Sequence, residues 1–337
     1  MEILVIPPNT RGYHMFPAQV HERLAALGTV TYNETDEQFT ESDLAEQLPG
    51  VNVCLTHWGS PSFTESALET ADDLQLVAHV GGSVAGIASE ALYDHGVTVT
   101  SAVRVMGPFV AEHILTLTLD SLRAIREHDQ SIRDGDWDRQ TDRVDTLFGK
   151  QVGFVGVGSV GHALLDLLEP FDVTVRWYDP YLPDGALADY DFAEEASLEE
   201  VLATSDVVSV HAAKTEETIH MLDAEQLGRM PDGSLLVNAA RGALVDEQAL
   251  LAELESGRLS AALDVFEREP LAEENPLRQV AGAVRTPHIA GSPTRHRMAE
   301  AMAAEVERFT RGEPLQHTIS RTKFQTMSKD WLSADDE

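Results

Sequence analysis

The chain is expected to fold as an α/β protein with two parallel sheets, one domain being inserted in the other. Three observations predict this. Short runs rich in Val, Ile, Leu and Thr alternate with amphipathic stretches. The alternation comes in two series, one from Met1 and one from Lys150. A long stretch with one apolar side, "GPFVAEHILTLTLDSLRAIREH" at 107–128, separates them and suits a helix bridging two domains. A βαβ rhythm implies strands that run the same way, with helices on both faces of the sheet. At 337 residues the chain also exceeds what one ordinary core organises.

In the first series, "EILVI", "TVTYN", "VNVCLT", "LQLVAHV" and "VTVTSA" read as strands. Segments such as "VHERLAALG" and "SALETADDL" lie between them with helical spacing. In the second, "QVGFVGV", "VTVRWYD", "VVSVHA", "SLLVNAA", "SAALDVF" and "AVRTPHI" are the strands. "TRHRMAEAMAAEVERFTRG" (294–312) reads as a closing helix that returns to the first domain. The expected division is therefore 1–101 with 292–337 as one domain and 102–291 as the other. The weakly periodic stretch 316–337 reads as an arm onto a second subunit or a mobile tail.

Charge narrows the partners. Lys+Arg total 24 against 57 Asp+Glu, a net −33, and the only lysines are Lys150, Lys214, Lys323 and Lys329. The acids are dispersed through core-forming sequence rather than gathered in a block. That pattern suits a salt-rich cytoplasm, where screening removes the self-repulsion. It argues against nucleic acid, which needs a basic footprint. An anionic substrate must then be held by a few local cations. No apolar run approaches the roughly 20 residues of a membrane helix. "MEILVIPPN" reads as a first strand rather than a signal peptide. Cys54 is the single cysteine, which excludes an intramolecular disulfide and fits a reducing cytoplasm. No metal-ligand constellation stands out.

The chemistry-bearing motifs follow strands of the second series. Gly156-x-Gly158-x-x-Gly161 directly follows a strand and opens a helix. The first glycine serves a tight turn, the second lets backbone approach a pyrophosphate, and the third permits close helix–strand packing. The helix N-terminus offers unpaired N–H groups to phosphate. Asp179 ends the next strand, 18 residues past Gly161 (179 − 161), where a carboxylate accepts from ribose hydroxyls and repels a 2′-phosphate. NAD is thus expected over NADP, although Lys214 near the cofactor edge leaves NADP open.

Arg241 follows "SLLVN" and could grip a carboxylate in a bidentate fork. A surface ion pair is its bland alternative. Asp264 ends "SAALD", with Glu267 and Glu269 beyond it; for these a helix N-cap or solvated loop is the alternative. His288 follows "AVRTP", and the small residues of "AGS" allow a ligand near it. An anchor, a proton donor and a carboxylate that keeps the donor protonated make up one reaction centre.

Together "GVGSVG", "YDP", "SDVVSVH", "NAARGALVDEQAL", "ALDVFEREPL" and "TPHIAGS" resemble the D-isomer-specific 2-hydroxyacid dehydrogenase family, which includes glyoxylate and hydroxypyruvate reductases and phosphoglycerate dehydrogenases. The resemblance runs from "HWG" near residue 58 to "RGEPL" near 314. It implies two Rossmann/flavodoxin-like domains with a cleft between them, the cofactor domain (102–291) inserted in the substrate domain, usually as homodimers. It implies Arg241, Glu269 and His288 as the catalytic Arg, Glu and His. The implied dinucleotide contacts are Gly156, Gly158, Ser159, Val160, Gly161, Asp179, His211, Ala212, Thr218, Ala239, Ala240, Arg241, Asp264, His288 and Gly291. The implied substrate contacts are Gly82, Ser83, Arg241 and His288.

The departures are local. Ala85 and Gly86 stand where the family commonly has Asp-Asn, and Ala213 and Lys214 where Pro and an apolar residue are typical. "RVMGPFVAEH" lacks the usual Asn-Ala. His57, Trp58 and His79 lie near first-domain strand ends and either shape a pocket or pack. The expected activity is hydride transfer between NADH and a 2-oxo acid. Formate oxidation, which pairs the His with Gln, is disfavoured by Glu269. An NAD-sensing interaction protein of the C-terminal-binding co-repressor type is the alternative from a different class.

Overall fold

The structure is a computed structural model in which residues 1–8, 15–137 and 144–329 are described. Two compact units divide the chain. Among the described residues, one comprises 1–106 and 292–329, and the other comprises Gly107–Gly291.

The first unit holds β1 (Glu2–Pro8), β2 (Thr29–Asn33), β3 (Val53–Thr56), β4 (Leu76–His79) and β5 (Thr98–Ser101), in the spatial order β2-β1-β3-β4-β5. Every pair in it is parallel. β3 and β4 are buried at every position, as strands covered on both faces must be. One face packs Leu4, Cys54, Val77 and Val99 against Leu44, Phe63 and Leu92. The other packs Ile3, Leu55 and Ala78 against Met298, Met302 and Val306 of helix Arg295–Arg311, so the closing helix does return to this unit.

The second unit holds β6 (Gln151–Val155), β7 (Thr174–Tyr178), β8 (Ala193–Glu195), β9 (Val207–Val210), β10 (Leu235–Asn238), β11 (Ser260–Leu263) and β12 (Ala283–Arg285). Their order is β12-β11-β10-β9-β6-β7-β8, again all parallel. Chain order reverses between β6 and β9, the switch point where an open α/β sheet leaves a crevice outside its strand ends. The expected strands all form. β8, "AEE", is additional: it is short and polar, lies at the sheet edge and carries no apolar period to announce it.

Two expectations need correction. The stretch 107–128 is not one helix. A helix runs Val103–Arg123, and a second, Ile125–Arg133, follows Ala124 in the left-handed conformation (φ 47°). The N–H of Asp145 takes the Leu122 carbonyl at 2.7 Å, the acceptor that Arg126 would need if the helix continued.

The second correction concerns the tail. Residues 316–329 dock on the first unit. Thr318 bridges Thr100 in antiparallel fashion, and Ile319 and Met327 are buried in its core. The remainder of the expected arm, 330–337, lies outside the described residues.

Candidate active site

Six neighbouring strands of the second sheet end on the same side. In spatial order, the residues at or just beyond their carboxyl ends are His288, Asp264, Arg241, His211, Gly156 and Asp179, after β12, β11, β10, β9, β6 and β7. The parallel topology thus gathers residues from Gly156 to His288 along one sheet edge.

At the switch point, Gly156 adopts φ +81°, and a Cβ there would lie 2.6 Å from the Ala212 nitrogen. Only glycine tolerates both the angle and the approach. Gly158 precedes helix Ser159–Leu168 and has no obstacle within 4 Å of a Cβ position. Among the described residues no side chain caps that helix, and the first-turn N–H groups, at Ser159 and Val160, point out of its N-terminus without an intrahelical acceptor. A Cβ on Gly161 would press on Val157 Cγ1 at 3.2 Å. Asp179 accepts Val157 N–H on Oδ2 (2.9 Å) and Tyr181 N–H on Oδ1 (3.0 Å), which ties the carboxylate to the glycine turn. Each oxygen keeps a lone pair for a ribose hydroxyl. An open glycine path, unpaired N–H groups at a positive helix end and an adjacent carboxylate fit a dinucleotide.

The β10 loop is folded back by Asn238. Its side chain accepts Ala240 N–H (3.0 Å) and donates to the Arg241 carbonyl (2.9 Å). Gly242 then sits so close to the next loop that a Cβ would fall 1.8 Å from the Phe266 carbonyl carbon. This glycine lets protein backbone, not ligand, approach, and it seats Arg241 beside the segment that carries Glu269. The Arg241 Nη1 donates to the Ala240 carbonyl at 2.7 Å.

Asp264 is fully buried and organises the β12 loop. It accepts Ile289 N–H (3.0 Å), Ala290 N–H (2.9 Å) and the Thr286 hydroxyl (2.5 Å), while its own carbonyl accepts His288 N–H (2.8 Å). Thr286 Oγ1 in turn faces His113 Nε2 at 3.1 Å. Burial pushes the Asp264 carboxyl upward, but the bonds from His113, Thr286 and the two N–H groups outweigh it and hold it below the usual range. The cage fixes His288 at φ +52°, a left-handed conformation that costs an L-residue about 1–2 kcal/mol.

So held, His288 places Nδ1 2.7 Å from Glu269 Oε2. The other carboxylate oxygen accepts Phe266 N–H at 3.0 Å. The hydrogen bond that His288 donates to Glu269 raises the His288 pKa above its ordinary value; burial and the Arg241 charge oppose the rise but do not cancel it. Burial alone would raise Glu269, yet the His288 and Phe266 bonds and the Arg241 charge bring it below its ordinary value. Arg241 therefore acts electrostatically on both partners. With Nδ1 engaged, Nε2 is the ring nitrogen able to present a proton outward.

Residues 115–290 match the D-isomer specific 2-hydroxyacid dehydrogenase, NAD binding domain, more than half of the chain. The chain belongs to the D-isomer-specific 2-hydroxyacid dehydrogenase family. It is similar to D-3-phosphoglycerate dehydrogenase of Archaeoglobus fulgidus, 32% identical over 290 residues, 85% of this chain and 55% of that protein. It is also similar to hydroxypyruvate reductase of Thermotoga maritima, 31% identical over 261 residues, 77% of this chain and 84% of that one. The crystal structure of a glyoxylate reductase from Paecilomyes thermophila aligns with a TM-score of 0.78 and 26% identity, covering 96% of this chain and 99% of that one. The chain spans about half the length of the phosphoglycerate dehydrogenases it matches.

The other candidate residues have mainly structural partners. Glu267 turns to His220 (3.1 Å) and to Glu247 N–H (2.8 Å). Thr218 donates to the Ala213 carbonyl (2.6 Å) and accepts Thr215 N–H (2.8 Å), closing its own loop. His211 packs edge-on to Phe154 at 4.8 Å, and burial lowers its pKa to about 3. Lys214 is buried. Ala239, Ala240 and Gly291 flank the same strand ends and are half-buried.

In the first unit, Gly82 is buried, and Ser83 Oγ donates to the Ser328 carbonyl at 2.8 Å. His57 and His79 are core residues. His79 pairs with Thr56 Oγ1 at 2.9 Å and is driven to about 3 by burial and the neighbouring His57. Trp58 is partly exposed. Sequence reasoning missed Asn238, Thr286 and His113, whose only signal was position: two end or follow strands and one lies on a helix. Among the described residues no cluster has metal-ligand geometry, and no helix is long and apolar enough to cross a membrane.

Proposed function

We propose that the chain catalyses reversible reduction of a 2-oxo acid to the D-2-hydroxy acid with NADH. The single observation that carries this reading is the 2.7 Å contact of His288 Nδ1 with Glu269, formed within the field of Arg241. Arg241 anchors the substrate and polarises its carbonyl, and in the first unit the backbone of Gly82 and Ser83 is the proposed carboxylate contact. His288, kept as imidazolium by Glu269, delivers the Nε2 proton to the carbonyl oxygen, and Glu269 stabilises the charge on the ring before transfer. Bound nicotinamide supplies the hydride, so one hydride and one proton convert C=O to CH–OH. In oxidation His288 takes the proton back. The glycine turn, the Ser159–Leu168 helix N-terminus and Asp179 hold the dinucleotide. His211, Ala212, Thr218, Ala239, Ala240, Asp264 and Gly291 complete its surroundings, with NAD preferred because Asp179 repels a 2′-phosphate.

The reading includes a homodimer in a reducing cytoplasm. Among the described residues, helix Ile125–Arg133 has no buried member and leaves Ile125 and Ile132 exposed, with Trp137 exposed just beyond it, which supports a self-association surface there. Cys54, a buried free thiol that burial pushes up, is consistent with a reducing compartment. The test is steady-state NADH and NADPH oxidation with a panel of 2-oxo acids in molar KCl. Saturable turnover with at least one acid supports the reading. Tight NADH binding without turnover on any acid assigns the chain to the dinucleotide-sensing class instead.

A further inference from the structure

We propose that the segment 316–329 is a latch that holds the 81–84 loop in its substrate-receiving shape, so that the C-terminal segment sets substrate affinity. The proposal rests on the reading that this loop's backbone meets the substrate carboxylate. All the contacts that carry it lie within the first unit.

Two ties connect segment and loop. The direct one is Ser83 Oγ, which donates to the Ser328 carbonyl at 2.8 Å and accepts Ala85 N–H at 3.2 Å. The hydroxyl is thereby committed to protein on both sides, leaving backbone N–H groups as the loop's own donors. The second tie runs through Ser101. Its N–H donates to the His317 carbonyl at 3.0 Å, while its hydroxyl faces the carbonyls of Gly81 (3.0 Å) and Gly82 (2.5 Å). With both carbonyls turned toward Ser101, the loop peptides have a defined orientation.

The segment itself is firmly seated. Ile319 N–H donates to the Val99 carbonyl at 2.8 Å, and the Tyr93 hydroxyl donates to the Ile319 carbonyl at 3.2 Å. Ile319 and Met327 are buried, and Phe324 packs on Tyr93 with ring centroids 5.4 Å apart. Arg321 pairs with Glu90 at 3.2 Å and with Asp94. Fully buried Glu305 accepts the N–H groups of Gln316 (2.9 Å) and His317 (3.0 Å), fixing where the segment begins. Glycines at 81 and 82 give the loop little rigidity of its own, so its shape depends on such outside ties.

The test uses Ser83→Ala, a chain ending at Thr326, the two combined, and Ser83→Thr, which keeps the hydroxyl. Readouts are KM and kcat for the best 2-oxo acid, and the Kd of oxalate, which cannot be reduced, from the fluorescence of the NADH complex. The expected result is a rise of about three- to tenfold in KM and oxalate Kd for the alanine variant and for the shortened chain, the loss of one hydrogen bond, with kcat and NADH Kd holding. The combined variant is expected to be no worse than the worse single change, and Ser83→Thr to stay near the parent. Additive effects, or an unmoved oxalate Kd in Ser83→Ala, overturn the latch. If the shortened chain does not fold, a Ser83→Ala defect that Ser83→Thr fails to rescue overturns it equally. An unaltered protein that turns over no 2-oxo acid and binds no oxalate sinks the functional reading instead, whereas a working enzyme with unmoved KM sinks only the latch.

Discussion

Glu269 Oε2 and His288 Nδ1 lie 2.7 Å apart, and that one contact couples the protonation of the ring to the charge of the carboxylate. Because Glu269 raises the His288 pKa, the imidazolium persists to higher pH than in a free histidine. On the proposed mechanism reduction needs that proton, so its rate is expected to fall as pH rises through the raised value. In Glu269→Gln the raising charge is gone and the alkaline limb of kcat/KM for reduction moves toward lower pH. A limb that stays in place would assign the titration to another group.

On the proposed mechanism, His288→Ala removes the proton donor without touching the glycine turn. The expected loss in kcat is about 10²–10⁴-fold, with the NADH Kd little changed. Stopped-flow turnover alongside fluorescence titration of NADH separates the two quantities. Undiminished turnover would remove the ring from the chemistry.

Asp264→Asn is expected to damage placement before chemistry. The buried carboxylate accepts two N–H groups and a hydroxyl, and an amide can satisfy only some of them. The cost is about 1–3 kcal/mol from donors left unsatisfied. It is measurable as a lower denaturation midpoint, together with a lower kcat as His288 loses its seat. A variant of parental stability would show that the cage does not hold the loop.

Glycine substitutions offer a paired contrast. At Gly242 a methyl would meet the Phe266 carbonyl carbon at 1.8 Å, so Gly242→Ala is expected to unfold the loop or the protein. At Gly228, inside helix Ala224–Arg229, a methyl meets nothing within 4 Å. There alanine is expected to stabilise by about 0.5–1 kcal/mol. Thermal denaturation of the two variants side by side checks both signs.

The net charge of −33 predicts salt-dependent stability. At about 1 M salt the screening length is roughly 3 Å, and repulsion among dispersed carboxylates is largely removed. Tm is expected to climb steadily with KCl from dilute buffer to molar concentrations. A flat profile would mean that local ion pairs already balance the acids.

Much of the fold is legible in the amino-acid sequence, because its signals are local. Apolar runs of four to six residues between helical patterns announce buried parallel strands, and Gly156-x-Gly158-x-x-Gly161 announces its turn through residues that touch one another in sequence. The break at Ala124 was not legible, because it depends on Asp145 taking the Leu122 carbonyl from 23 residues away. Nor was the docking of Ile319 and Met327, whose weak periodicity conceals that both fill the first core. Asn238 and Thr286 look like ordinary strand-end polar residues until their partners are known.

The amino-acid sequence by itself determined the two α/β series and the dinucleotide turn, and it singled out Arg241, Glu269 and His288 as candidates, since these signals are side-chain type and short-range spacing. Only the tertiary structure brought Glu269 to His288, made Asp264 the cage of the histidine loop, and joined Ser83 to the Ser328 carbonyl. Those facts depend on which strands lie side by side and on single hydrogen bonds between distant segments. Spacing along a chain does not encode them; the folding of the sheets does.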